Sequence, residues 1–311
     1  MKRWVTWIAV ALAVVVLAGA IVYFVFPRPA FLAARTLLRA SAGLSQHSIQ
    51  AAGHTIVYLD GSSGEPLVLL HGFGAEKDTW LSTAWQLRGR YRVLALDVPG
   101  FGQSSQDPGA NYSFEEQAAR VAAFLDAVRI TAPVHIGGNS MGGAIAGIFA
   151  ARYPQRVKSL WLIAPAGVVS AEPSDLSRAI AAGQNPMLVR STEDFERLMD
   201  MIFVRRPYVP GAVMRIFAEN AASHRRFNEK IFGDMRKPSV PLEVLLNGSP
   251  VPTLILWGDQ DRLVHVSGAA ILGAVMPKAK VVVLKDVGHA PMIEEPRASA
   301  DAFLTFQHAN P

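Results

Sequence analysis

At 311 residues, half of them apolar, the chain can bury a large core as one domain, with or without an insertion. It contains no cysteine, which excludes disulfides, zinc–thiolate sites and a thiol nucleophile. A formal charge of +5 beside a long apolar amino-terminal stretch argues against nucleic acid as the partner.

Trp4 to Phe26 holds no charged residue. As a helix it would reach roughly 35 Å, enough for a hydrocarbon layer of ~30 Å. A cleaved signal peptide is the competing reading, with Ala18-Gly19-Ala20 as the cleavage site, but six more apolar residues follow Ala20. We therefore read 1–26 as a transmembrane anchor, with Trp4, Trp7 and Tyr23 near its interfaces. Lys2 and Arg3 before the span are matched by Arg28, Arg35 and Arg39 after it, so charge does not orient it. The very short leading tail favours export of the remainder, which in a bacterium gives a single-pass inner-membrane protein with a periplasmic globular part. Ala9, Ala13 and Ala20 share a helical face on which two anchors would pack as a homodimer.

Over 27–44 the spacing of Arg28, Arg35 and Arg39 stacks them on one helical face, opposite Phe31, Ala34, Leu37 and Leu38. This predicts an amphipathic juxtamembrane helix. Either its arginines face lipid phosphates, or it packs Leu37 and Leu38 on the globular chain.

From 45 onward, strand and helix patterns alternate. Strands are expected at His54–Asp60, Pro66–Leu70, Tyr91–Leu96, Pro133–Gly137 and Val157–Ile163. Helices are expected at Trp80–Leu87, from a Ser113/Glu116 capping box to Val128, and over Ala144–Arg152. The alternation halts at Ala164-Pro165-Ala166-Gly167, and only helical patterns broken by Pro and Gly follow. It resumes with a strand at Pro252–Trp257, a helix at Ala269–Val275, a strand at Lys280–Leu284 and a helix at Arg297–Phe306. The pattern predicts a doubly wound, mostly parallel α/β sheet in two parts, 45–167 and 251–311. Residues 168–250 form a helical cap inserted above the carboxyl ends of the strands, where ligands bind in such sheets. Within it, 201–240 carries eight basic residues against three acidic ones, which suits anionic headgroups or plain solvation.

Gly138-Asn139-Ser140-Met141-Gly142-Gly143 sits between a predicted strand and a predicted helix, the context that a G-x-S-x-G nucleophile elbow requires. Ser140 is the candidate nucleophile, lifted clear of the backbone by a strained turn. Gly138 and Gly142 lack side chains because strand and helix pass too close. A serine hydroxyl needs a base, and the base needs an orienting acid, in the chain order Ser, acid, His. His289, on the loop after the last strand, fits the base; His224 lies in the cap, His308 at the end, and His265 leaves no place for the acid. Asp259 and Asp261 both follow the strand ending at Trp257 and are not separated by this argument; Asp286 is too near His289. The oxyanion donors are expected to be the backbone N–H groups of Phe73 and Met141. His71 is expected to shape the Phe73 loop. No metal or cofactor enters this chemistry.

The runs His71-Gly72-Phe73-Gly74-Ala75-Glu76-Lys77-Asp78-Thr79-Trp80, Asp97-Val98-Pro99-Gly100-Phe101-Gly102, Gly138–Gly143, Trp257-Gly258-Asp259-Gln260-Asp261 and Gly288-His289 resemble the α/β-hydrolase family. With the anchor, they resemble its membrane-anchored monoacylglycerol lipases and bacterial inner-membrane phospholipases A. The resemblance implies Asp261 as the acid, a lipid ester as substrate, a fatty acid as product and an anchor-mediated dimer. The elbow also resembles carbon–carbon bond hydrolases of ring-cleavage products, which carry an aromatic residue after the histidine where this chain has Ala290-Pro291.

Overall fold

Six leucine- and valine-rich segments lie side by side in parallel as β3 (Glu65–Leu70), β4 (Tyr91–Leu96), β5 (Val134–Asn139), β6 (Val157–Ile163), β7 (Thr253–Gly258) and β8 (Ala279–Leu284). The computed structural model describes residues 25–310 together with Trp4, Val5, Trp7, Ile8, Val10 and Gly19. In it the full sheet has eight strands in the order β1-β2-β4-β3-β5-β6-β7-β8, with β1 (Leu44–Ala51) and β2 (His54–Gly61) antiparallel at one edge. β1 was not expected. Its sequence Leu-Ser-Gln-His-Ser-Ile-Gln-Ala buries only its two end residues, so this edge strand leaves no apolar alternation to read.

Helices cover both faces. Phe114–Ala127, Met141–Arg152 and Ser267–Val275 pack on one side, and Leu81–Leu87 and Pro296–Ala309 on the other, where Trp161 stacks on Phe303 with ring centroids 4.6 Å apart. The Ser113 hydroxyl accepts from the Glu116 N–H at the start of Phe114–Ala127, as the capping box predicts. The chain winds one way from β3 to β4 and the other way from β5 to β8. The switch point therefore falls between β3 and β5, and the loops leaving these two strands face each other across it.

Between β6 and β7 the chain inserts the helices Asp175–Ala181, Thr192–Ile202, Gly211–Ser223, Arg225–Met235 and Leu242–Leu245. They sit over the carboxyl ends of the strands. Phe232 meets Phe73 of the loop after β3, and the carboxylate of Asp234 accepts from the Tyr112 N–H and from Lys230. Burial alone would raise the Asp234 carboxyl, but hydrogen bonds from Lys230, Lys237 and the Tyr112 backbone outweigh it and hold it at about 2. A carboxylate depressed in this way stabilises the docked insertion fully above pH ~4 and loses that contribution as pH falls toward 2. Asp234→Asn is expected to cost about 2 kcal/mol at pH 7 and to flatten the fall in stability between pH 4 and 2. Urea unfolding across that pH range measures both effects.

Most of the predicted span 1–26, with the face Ala9, Ala13 and Ala20, lies outside the described residues. Among the described residues no helix is long and apolar enough to cross a membrane. Residues 27–44 open with a helix, Pro27–Ser41, whose Arg35 and Arg39 turn toward the globular chain. Arg39 forks onto Asp78, with Nε 2.6 Å from Oδ1, and Arg35 reaches Glu76 at 3.3 Å. Leu37 and Leu38 are 72% and 57% exposed, so these leucines do not pack the helix on the globular chain. Acidic partners on the loop after β3 supply bidentate, charge-assisted bonds that solvated arginines would forgo. Farther toward its start, Phe31 packs edge-on to Phe217 of the insertion.

Candidate active site

Ser140 occupies the sharp turn between β5 and the helix Met141–Arg152, with φ +54° and ψ −115°. A non-glycine residue in that region stores about 1–3 kcal/mol of strain and persists only where its surroundings over-determine it. They do so here. The Ser140 N–H donates to Ile163 O at 3.0 Å, and its carbonyl accepts from Ala144 and Ala166. A Cβ on Gly138 would lie 2.2 Å from Gly142, and one on Gly142 would lie 2.1 Å from Leu70 O. The glycines of the motif are thus required by backbone approach on both sides of the serine.

The loop after β3 runs beside this turn. A Cβ on Gly72 would sit 3.5 Å from Ser140 Cβ. His71 is fully buried; its Nδ1 donates to Gly72 O at 2.7 Å while Nε2 accepts from the Val98 N–H at 3.1 Å. Burial lowers the His71 pKa, and this pairing needs the neutral ring, so His71 acts as a brace for the loop and cannot also serve as a base. Phe73 is held by edge-on contacts with Phe101 and Phe232. Among the described residues, neither the Phe73 nor the Met141 N–H has a hydrogen-bond acceptor. Both lie at the switch point, the Met141 N–H at a helix start, where negative charge is favoured.

Behind the loop, Lys77 and Asp97 are both fully buried and paired at 2.7 Å. Asp97 also accepts from the N–H groups of Lys77 and Gln103. The carboxylate therefore ties the loop after β3 to the loop after β4.

His289 lies on the loop after β8 and is buried. Its Nδ1 donates to Asp261 Oδ2 at 2.8 Å. The other oxygen, Oδ1, accepts from the N–H groups of Leu263 and Val264 at 2.8 and 3.0 Å. Those two donors aim the Asp261 carboxylate at the imidazole and leave Nε2 as the free basic nitrogen. Asp259 instead accepts from the Val287 N–H, and Asp286 accepts from Gln260. His265 bonds Ser267, and His224 bonds Asn220 O. Among the described residues, no hydrogen bond joins Ser140 Oγ to His289. Such bonds often tighten only when substrate is present.

Asn139, inside the elbow motif, donates through Nδ2 to His289 O at 3.0 Å and to Ile163 O at 3.2 Å, linking the histidine loop to the elbow strand. Its place in the motif marks it, but spacing alone assigns it no task. An open cavity of about 620 Å³ between the insertion and the loop after β7 reaches Asp261 but neither Ser140 nor His289. Its lining includes Asp175, Arg178, Asp200 and Arg262, which makes it unsuited to an acyl chain. Among the described residues no cluster of acids and histidines is arranged to hold a metal.

An eight-stranded, mostly parallel sheet carrying a strained serine at its switch point is the arrangement of the α/β-hydrolases. The model of the alpha/beta hydrolase family matches residues 67–302, and the chain belongs to that family. It is 36% identical over 260 residues to Lipase 1 of Psychrobacter immobilis, covering 83% of this chain and 82% of that one. It is 30% identical over 250 residues to the monoacylglycerol lipase ABHD6 of Mus musculus, covering 77% and 74% of the two chains. Among solved structures it resembles a membrane phospholipase A, described as a bacterial virulence factor, at 42% identity and a TM-score of 0.89 over 99% of both chains. Within the family it is a lipase-like ester hydrolase.

Proposed function

We propose that the chain is a membrane-anchored serine hydrolase that cleaves acyl esters of membrane lipids, with Ser140 as nucleophile, His289 as base and Asp261 as its orienting acid. The observation that carries this reading is the buried, doubly braced Asp261–His289 pair, whose histidine loop is bonded to Asn139 beside the strained Ser140. Ser140 Oγ attacks the ester carbonyl while His289 Nε2 takes its proton. The resulting oxyanion is received by the N–H groups of Phe73 and Met141, each of which contributes ~3 kcal/mol in comparable sites. Collapse expels the alcohol (a lysolipid from a phospholipid, a glycerophosphodiester from a lysophospholipid, glycerol from a monoacylglycerol), which leaves with the proton from His289. Water, activated by the same nitrogen, then releases the fatty acid and restores Ser140.

Residues 1–26 act in this reading as the single-pass anchor, with the globular part in the periplasm of a bacterial inner membrane, and 168–250 act as the cap. The outward face of Pro27–Ser41, with Leu32, Leu37 and Leu38 exposed, suits the apolar boundary of a bilayer and so keeps the site close to its substrate. The similarity to a membrane phospholipase A and to monoacylglycerol lipases supports phospholipids, lysophospholipids or monoacylglycerols as the substrate class.

The test is incubation of the detergent-solubilised full chain with these lipids and with a vinylogous diketone. Free fatty acid from at least one lipid ester is the expected product. Cleavage of the diketone alone would replace the proposal with a carbon–carbon bond hydrolase.

A further inference from the structure

Five residues beyond His289, the side chain of Glu294 is completely covered, although Glu295 beside it is 37% exposed. A carboxylate out of water needs compensating donors, and Glu294 takes them both from the nearby histidine loop and from the distant insertion. Its Oε2 accepts from the Gly288 N–H at 2.9 Å and from the Val204 N–H at 3.4 Å, and its Oε1 accepts from the Arg205 N–H at 2.7 Å. Gly288 immediately precedes His289. Val204 and Arg205 belong to the stretch by which the insertion leaves the helix Thr192–Ile202.

The same two stretches touch directly. The His289 N–H donates to Ile202 O at 2.7 Å, the shortest backbone bond made by the histidine loop. A Cβ on Gly288 would lie 2.3 Å from Ile202 O, and a Cβ on Gly258 would lie 2.2 Å from Gly288 O. The histidine loop is therefore pressed between the end of β7 and the insertion, with no room for side chains on either side.

We propose that Glu294 is a positioning residue whose buried carboxylate staples the insertion's 202–205 stretch to the histidine loop, so that insertion and imidazole move as one body. This rests on the serine hydrolase reading for its consequence, since any displacement of the insertion would then shift His289 relative to Ser140. The Asp261 bond to Nδ1 fixes the ring's tilt; the staple fixes the backbone from which the ring hangs.

Glu294→Gln keeps the shape but replaces one acceptor oxygen with an NH2 that faces a backbone N–H. With p-nitrophenyl butyrate, a small soluble ester, kcat is expected to fall roughly 100-fold, the scale of a 1 Å misplacement, while KM stays within about twofold. Hydrogen exchange at the Gly288, Val204 and Arg205 amides is expected to quicken together. Glu294→Asp, which keeps the charge at shorter reach, is expected to recover part of the rate. A folded Glu294→Gln protein with wild-type kcat, or with its loss entirely in KM, would overturn the proposal. If the Gln variant does not fold, wild-type kcat in Glu294→Asp overturns it equally. The exchange comparison needs no turnover, so an inactive wild-type chain would count against the hydrolase reading and leave the staple separately tested.

Discussion

Ser140→Ala is expected to lower kcat for p-nitrophenyl acyl esters by about 10⁶-fold, because the remaining groups then act on no nucleophile and their effects are not additive. The far-UV spectrum and unfolding midpoint should stay close to wild type. The turn that holds Ser140 is fixed by its backbone bonds to Ile163, Ala144 and Ala166 and by the bare glycines around it, none of which involves the hydroxyl. Gly142→Ala makes the opposite case. Its Cβ would lie 2.1 Å from Leu70 O, a clash only the backbone could relieve. Rate measured beside circular dichroism on the two variants separates lost chemistry from lost architecture. Substantial turnover by Ser140→Ala would remove the serine from the mechanism.

Asp97→Ala carries the second large effect, and it acts on stability. The substitution leaves the Lys77 ammonium buried with Gln103 Oε1, at 3.0 Å, as its one remaining partner among the described residues. It also removes the acceptor for the N–H groups of Lys77 and Gln103. Removing one partner of a buried ion pair typically costs about 3–5 kcal/mol. Urea unfolding should register that loss, and activity should fall with it, because Lys77 fixes the far end of the loop that presents Phe73. Adding Lys77→Met to Asp97→Ala is expected to restore part of the stability, since no charge is then stranded. A double variant no more stable than the single one would show that the carboxylate's backbone bonds, not the ion pair, hold this corner.

The interior of the sheet was legible in the sequence because both of its faces are buried. Tyr91–Leu96 and Val157–Ile163 form strands with the bounds that their apolar runs mark, and the elbow context of Ser140 is visible as strand, Gly-rich turn and Ala-rich helix. β1 was not legible. Its role is to pair with β2 through the backbone, and backbone pairing leaves no mark on side-chain polarity.

The helix Pro27–Ser41 shows a different limit. Its two faces can be read from spacing, but which face turns inward depends on Glu76 and Asp78, some forty residues away in the chain. Similarly, position after the strand does not separate Asp259 from Asp261, and only the family resemblance points to Asp261. Two backbone donors, Leu263 and Val264, orient Asp261 alone toward His289, and no local pattern announces them. Asn139 and Glu294 bind backbone groups of remote segments, His289 for the one and Val204 and Arg205 for the other, so their part in the site became visible only with the chain folded.

Mapping the residue modified by a fluorophosphonate probes the core of this account most directly, since the reagent reacts with a serine only where a base and an oxyanion pocket activate it. Incubation of the full chain followed by peptide mass spectrometry should place a single stoichiometric adduct on Ser140, abolished by His289→Ala. An unmodified protein, or an adduct on another serine with Ser140 intact, would contradict it.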